Sequence, residues 1–231
     1  MFALLEGIES EDRFMARLLL KSGADWTRED YFNQAPLFGS IGLYDEGTVN
    51  FLLENGVDPN VSDSKGRLPL VHAAMGGYNP IVQALLEHGA DPNAEDALGR
   101  TPLYVALMPE KGEGGDESLL ELLLSYGANV NKEHQYSRRG GCRASTKKPL
   151  LVTALFDWNS IGVLTWLLEH GANPDTMDVG VGSGQSVLES VHEVVSVYEK
   201  QGDIRFYRLY GDMEDLLLEY GATPLQENLA I

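Results

Sequence analysis

Short clusters of leucine, each closed by a glycine and followed by a polar turn, run along almost the whole chain. One phrase carries the pattern. Leu18-Leu-Leu-Lys-Ser-Gly23-Ala-Asp25 returns as Leu52-Leu-Glu-Asn-Gly56-Val-Asp-Pro-Asn60 and as Leu85-Leu-Glu-His-Gly89-Ala-Asp-Pro-Asn93. Later copies are Leu122-Leu-Leu-Ser-Tyr-Gly127-Ala-Asn-Val-Asn131, Leu167-Leu-Glu-His-Gly171-Ala-Asn-Pro-Asp175 and Leu216-Leu-Leu-Glu-Tyr-Gly221-Ala-Thr-Pro224. The glycines lie 33, 33, 38, 44 and 50 residues apart. A second phrase sits between them: Ala35-Pro-Leu37, Leu68-Pro-Leu70, Thr101-Pro-Leu103, Lys148-Pro-Leu150 and a degraded Ser186-Val-Leu188.

Each phrase has a mechanical meaning. Leu-Leu-x-x-Gly is the last turn of an apolar-faced helix, ended by a glycine in the left-handed conformation. The Asp/Asn-rich stretch behind it suits a turn. Proline at the first helical position opens the next helix, where its missing N–H costs nothing. The unit is therefore turn, helix, tight turn, helix. One such pair cannot bury its apolar face alone, whereas stacked pairs can.

These units resemble ankyrin repeats, whose hallmarks are a Thr-Pro-Leu-His-x-Ala opening and a period of about 33. Gly66-Arg-Leu-Pro-Leu-Val-His-Ala-Ala74 and Gly99-Arg-Thr-Pro-Leu-Tyr-Val-Ala106 match the opening closely. The histidine of that motif is replaced by Phe38, Val71, Tyr104, Leu151 and Glu189. The resemblance implies an all-α, ankyrin-repeat solenoid of about six helix-turn-helix units, the last extended, in a single domain over 1–231. The expected units are approximately 1–34, 35–67, 68–100, 101–147, 148–185 and 186–231. It also implies that fingers and first helices line a concave, partner-binding face. In some such proteins the finger-stem position held here by Asn60, Asn93 and Asn131 is hydroxylated; these asparagines are expected to hydrogen-bond the turn.

The period is broken by three larger insertions. Five residues enter the third full unit at Pro109-Glu-Lys-Gly-Glu-Gly-Gly-Asp-Glu117, and their Gly and acid content predicts a solvated loop. Nine enter the finger around Tyr136-Ser-Arg-Arg-Gly-Gly-Cys-Arg-Ala-Ser-Thr-Lys-Lys148. Fourteen enter the last unit between Glu189 and Asp215. There Val191, Val194, Val195 and Val197-Tyr198 are spaced for a longer first helix, and Phe206, Tyr207, Leu209, Tyr210 and Met213 lead into the second. A lengthened final pair suits a cap for the end of a stack or a ledge for a partner. At the other end, Phe2, Leu4 and Leu5 mark a short first helix and Phe14, Leu18, Leu19 and Leu20 the second.

Composition narrows the function. With 231 residues, 43 % hydrophobic and 23 % charged, the chain can bury a core without disulfides or metal. Thirty-five acids against 17 bases give −18, which argues against general nucleic-acid binding. Residues 132–148 reverse the sign: Lys132, Arg138, Arg139, Arg143, Lys147 and Lys148 face one acid, Glu133. That segment is either a loop drawn to its own acidic scaffold or a site for an acidic peptide, a phosphate or nucleic acid, the peptide ahead of the last. Cys142 is the one cysteine, so no disulfide framework or thiolate zinc cluster forms. No apolar run approaches a membrane span, and no signal peptide is evident; an intracellular protein, cytoplasmic or nuclear, is expected, with delivery into a host cell left open.

Repeat offsets put Gly42-Leu43, Met75-Gly76, Met108-Pro109 and Leu155-Phe156 at the exposed ends of successive first helices, with Tyr44, Tyr78 and Trp158 just beyond. An aligned apolar row of this kind marks an interaction site. The finger tips Ser62-Asp-Ser-Lys-Gly-Arg67 and Glu95-Asp-Ala-Leu-Gly-Arg100 add Lys65, Leu98 and two arginines. Arg67 and Arg100 either grip a partner's carboxylates or pair with neighbouring finger acids. The expected protein-binding set is thus Leu43, Lys65, Arg67, Met75, Leu98, Arg100, Met108 and Phe156, with Arg138, Arg139 and Arg143. The partner is another protein, with an acidic segment in view, and the chain is expected to be a monomer.

No catalytic constellation holds. His88 and His170 share the position before a terminating glycine, where a cation suits a helix C-terminus. His134 and Cys142, eight residues apart, make neither a metal site nor a clear base–nucleophile pair. Gly180-Val-Gly-Ser-Gly184 lacks the lysine of a phosphate loop and reads as a longer finger. The reading leans away from an enzyme, without cofactor or metal. The alternative is an enzyme or small-ligand protein whose pocket lies between the 132–148 finger and the enlarged last unit, lined by Tyr136, Cys142, His192, Tyr207 and Arg208.

Overall fold

A computed structural model of the chain describes residues 36–108, 116–135, 147–176 and 185–223. The expected first unit, the 109–115 insertion, the centre of the basic finger and Gly180–Gly184 lie outside them. The chain falls into two compact units, each taken by itself. The first holds residues 1–106 and 116–128; the second holds 107–115 and 129–231.

In the first unit, α1 (Pro36–Gly42), α3 (Pro69–Gly76) and α5 (Pro102–Ala106) each open on proline. Their partners are α2 (Glu46–Glu54), α4 (Asn79–Glu87) and α6 (Glu117–Ser125). Asp45 caps α2 by accepting from the Thr48 N–H at 3.0 Å and from its hydroxyl. Asp116 caps α6 through the Ser118 N–H at 3.1 Å. The second helices end on Gly56, Gly89 and Gly127 at φ near +88°. There the next N–H turns back, as Ala90 does to the Leu85 carbonyl at 2.9 Å, satisfying carbonyls that a helix end leaves open.

Like packs on like. α1 contacts α3, which contacts α5; α2 contacts α4, which contacts α6. The shared core is aliphatic: Leu37 and Ile41 from α1, Val49 and Leu52 from α2, Leu70 from α3, Val82 and Leu85 from α4, Leu103 and Val105 from α5, and Leu119, Leu120 and Leu123 from α6. Ala73 and Ala74, fully buried, leave α3 slim enough to lie between two neighbours.

In the second unit the base of the long finger is a small antiparallel ladder, β1 (Glu133–Gln135) on β2 (Lys147–Pro149), with His134 opposite Lys148. This departs from a purely helical reading: the nine-residue insertion begins and ends on paired backbone. The buried His134 ring lies 2.9 Å from the Thr153 hydroxyl, tying the ladder to the next helix. That helix, α7 (Leu150–Thr153), widens into one π turn, Ala154–Trp158, closed by Asn159 at φ +50°. The left-handed residue lies eight positions after Pro36 and Pro69 but ten after Pro149. The π turn is where the chain houses the surplus. α8 (Ile161–Glu169) follows, capped by Ser160.

The enlarged final pair is α9 (Val187–Gln201) and α10 (Ile204–Glu219), so the helix lengthening expected from the valine spacing is present. Ser186 and Glu189 form a capping box, and Asp203 caps α10. α10 packs on both α9 and α8.

The finger-stem asparagines reach into the following repeat, beyond the turn they were expected to brace. Asn60 donates through Nδ2 to the Gly89 carbonyl at 3.0 Å and accepts from the Asp91 N–H at 2.9 Å. Asn93 donates to the Gly127 carbonyl at 2.8 Å. In the second unit Asn131 joins the Gly171 carbonyl and the Asn173 N–H, and Asp175 takes both the N–H and the hydroxyl of Thr223. Asn60→Ala removes two such bonds at once; we expect a loss of about 1–2 kcal/mol in urea unfolding, with an unchanged denaturant slope.

Candidate protein-binding surface

The fingers of the first unit are built on the sequence Asp-x-x-Gly-Arg. The Asp63 carboxylate is buried and accepts from the Lys65 N–H at 3.0 Å, the Arg67 N–H at 2.8 Å and Arg67 Nε at 2.6 Å. Asp96 repeats this with the N–H groups of Leu98 and Arg100, both at 2.9 Å, and with Arg100 Nε at 2.8 Å. Gly66 turns left-handed, and its carbonyl accepts from the Ala97 N–H at 2.8 Å. A Cβ at Gly66 would stand 2.4 Å from that of Ala97, so only glycine lets the two fingers stack here.

The arginines lie across the helix behind them. Arg67 sits over the Phe38 ring, 5.5 Å from its centre, and Arg100 Nη1 approaches Met75 Sδ at 3.8 Å. Both arginines pair with finger acids, Asp63 and Asp96. Each acid lies four residues before its arginine, and the two are 33 residues apart.

His72 lies half-buried between these groups, its ring 6.1 Å from that of Phe38. Its Nδ1 is buried without a hydrogen bond. Burial, then Arg67 and Arg100, hold its pKa below 6.5 against the opposing pull of Asp63.

Above this belt the apolar groups come out. Leu43, just past the end of α1, is 66 % exposed, and Met75, on the last turn of α3, is 37 % exposed. Met75 stands on a packed helix and Leu43 directly follows one. Tyr44 holds φ +62°, the conformation that Gly77 takes at φ +74° in the next repeat. Such a backbone disfavours a side chain, yet here it carries an exposed aromatic. Its ring meets that of Tyr78, with centres 3.8 Å apart. Tyr78 in turn lies over Gly76, where a Cβ would come within 2.3 Å of the ring. Burial, and the bond between the two hydroxyls, push the Tyr78 phenol up to about 12. Lys65 and Leu98 are exposed on the finger tips.

Comparison with known proteins fits this geometry. Ankyrin repeats, in three copies, match residues 37–134. The crystal structure of the ankyrin repeat domain of Bcl-3, described as a unique member of the IkappaB protein family, superposes with a TM-score of 0.71. It is 22 % identical, and the match covers 96 % of this chain and 85 % of that one. The chain has the ankyrin-repeat fold. No curated protein matches it. Ankyrin repeats are in general protein–protein interaction modules.

In the second unit, the expected exposed pair Leu155-Phe156 is corrected. The widened π turn carries Leu155 into the core, and Phe156 is half-buried, its ring 6.4 Å from that of Tyr210. Met108 is half-buried. His88 and His170 serve the helix ends: each Nδ1 lies within 2.8 Å of the carbonyl four residues back. Of the alternative pocket, Tyr136 and Cys142 lie outside the described residues, as do Arg138, Arg139 and Arg143. His192 is exposed and paired with Glu214 at 2.8 Å. Glu214 lies two turns along α10 from Tyr207, about 10 Å, so His192 and Tyr207 do not converge. Tyr207 instead borders an open recess of about 250 Å³ at the α9–α10 turn, with Tyr198, Glu199 and Asp203. Arg208 is exposed.

Two outcomes follow from the finger geometry. Asp63→Ala strands three donors and should cost about 2–3 kcal/mol in chemical unfolding. Because the pKa of His72 is depressed in the folded state, the unfolded chain takes up the proton first as pH falls below 6.5. Stability contributed by neutral His72 is thus complete above that value and declines below it. Urea unfolding at about pH 7.5 and 5.5 should show a smaller loss in His72→Gln than in the parent protein.

Proposed function

We propose that this protein binds another protein without catalysis, through the face of the first unit formed by Leu43, Tyr44, Met75 and Tyr78, with Lys65 and Leu98 on the fingers beside it. One observation carries the reading: Leu43 and Met75 stand exposed at matching ends of helices that are otherwise buried. Exposed leucine, methionine and tyrosine grouped on a firm scaffold are the usual anchors of an interface. A preformed surface loses little conformational freedom when it binds. Arg67 and Arg100 act here as clamps that keep the fingers and the face in place.

Met108 and Phe156 are the corresponding candidates in the second unit. Arg138, Arg139 and Arg143 supply a separate contact for an acidic segment, supported by the reversal of charge over residues 132–148. Among the described residues, no helix is long and apolar enough to cross a membrane.

Capture from native lysate should separate these contacts. Leu43→Asp with Met75→Asp, its helical content intact by circular dichroism, should lose the partner, with affinity reduced at least about tenfold. Deletion of 137–146 should leave that partner bound if the first-unit face is the principal site. The opposite pattern moves the principal site to the basic finger.

A further inference from the structure

We infer that the segment bound by the first-unit face is an apolar stretch flanked by lysine or arginine; this rests on the proposed use of that face. The reason is the fate of the positive charges. Lys65, Arg67 and Arg100 are the lysines and arginines among the described residues of the first unit, against twelve aspartates and glutamates. Arg67 and Arg100 are each closed onto a buried carboxylate, 2.6 and 2.7 Å away. Each pair is neutral as a whole, and its strongest donor direction is already taken. His72, set between the arginines, is neutral near pH 7. Among the described residues only Lys65 still offers a cation at this face, and it sits on a finger tip.

Asp45 and Glu46 have no such cancellation among the described residues. Asp45 and Glu46 follow Leu43-Tyr44 directly in the chain, at the edge of the exposed apolar group. The Asp45 carboxylate is bonded to the backbone N–H and hydroxyl of Thr48, which satisfy its oxygens without removing its charge. Glu46, in the first turn of α2, is exposed. A ligand with apolar anchors on Leu43, Tyr44 and Met75 must therefore place its flanks near uncompensated negative charge. Acidic flanks meet like charge there; basic flanks find complementary partners and are steered in by the field of the chain. The arginine row that a reader of the sequence would give to an acidic ligand is thus unavailable to one.

The test uses the full chain and two synthetic peptides of equal length. Both carry the same leucine and methionine anchors; one is flanked by lysines and the other by glutamates. Fluorescence anisotropy should show the lysine-flanked peptide binding about tenfold tighter or more, and weakening severalfold between about 0.05 and 0.5 M salt. Leu43→Ser with Met75→Ser, which changes no charge, should weaken that peptide at least about fivefold. Equal or tighter binding of the glutamate peptide overturns the inference; if the serine variant weakens that peptide, the face itself stands. A preference for lysine that the serine variant leaves untouched overturns the face and the inference together. So does binding of neither peptide.

Discussion

A helix pair in this chain is apolar on both broad sides, and only another pair can cover them. That constraint explains the lengths of the helices, the small residues of α3 and the recurrence of leucine at fixed offsets. Leu52 and Leu85 have no exposed surface because the next pair lies against them. The polar rungs come second: Asn60 and Asn93 reach the carbonyls behind Gly89 and Gly127 only once the helices have brought those carbonyls near. Apolar contact brings the pairs together, and the rungs then fix their register.

The fingers obey a different economy. Each uses one buried aspartate to gather the N–H groups of its own turn and the side chain of its own arginine. This makes a stiff projection without a hydrophobic core. It also withdraws the arginine from outside work, so what the face presents is set by what remains: Leu43, Tyr44 and Met75 beside Asp45 and Glu46. In the proposed reading, the scaffold selects the chemistry of its ligand through this internal pairing.

Much of the fold was legible because its signals are local. A glycine after Leu-Leu-x-x ends a helix whatever surrounds it, and the positive φ of Gly56, Gly89, Gly127, Gly171 and Gly221 bears this out. Proline at the head of α1, α3 and α5 is equally self-contained. The site was less legible because its roles are relational. Arg67 has two readings in sequence, and only the fold shows Asp63 turned back towards it. Leu155 reads as exposed until a π turn rotates it inward. Tyr44 gives no sign in sequence of its left-handed backbone, since that conformation normally falls to glycine. The short strands at the foot of the long finger were hidden for a similar reason: Lys147-Lys148 has little preference for a strand, and pairing with Glu133–Gln135 makes it one.

The rungs between repeats join residues 29, 34, 40 and 48 positions apart with nearly the same chemistry. What each one needs is a terminating turn and an amide or carboxylate ahead of it; the number of residues in between does not enter. Evolution can therefore lengthen one hairpin, or splice a new stretch into it, without rewriting its neighbours. A chain built this way can take local growth at a recurring joint, one addition at a time, while the other repeats go on holding the shape.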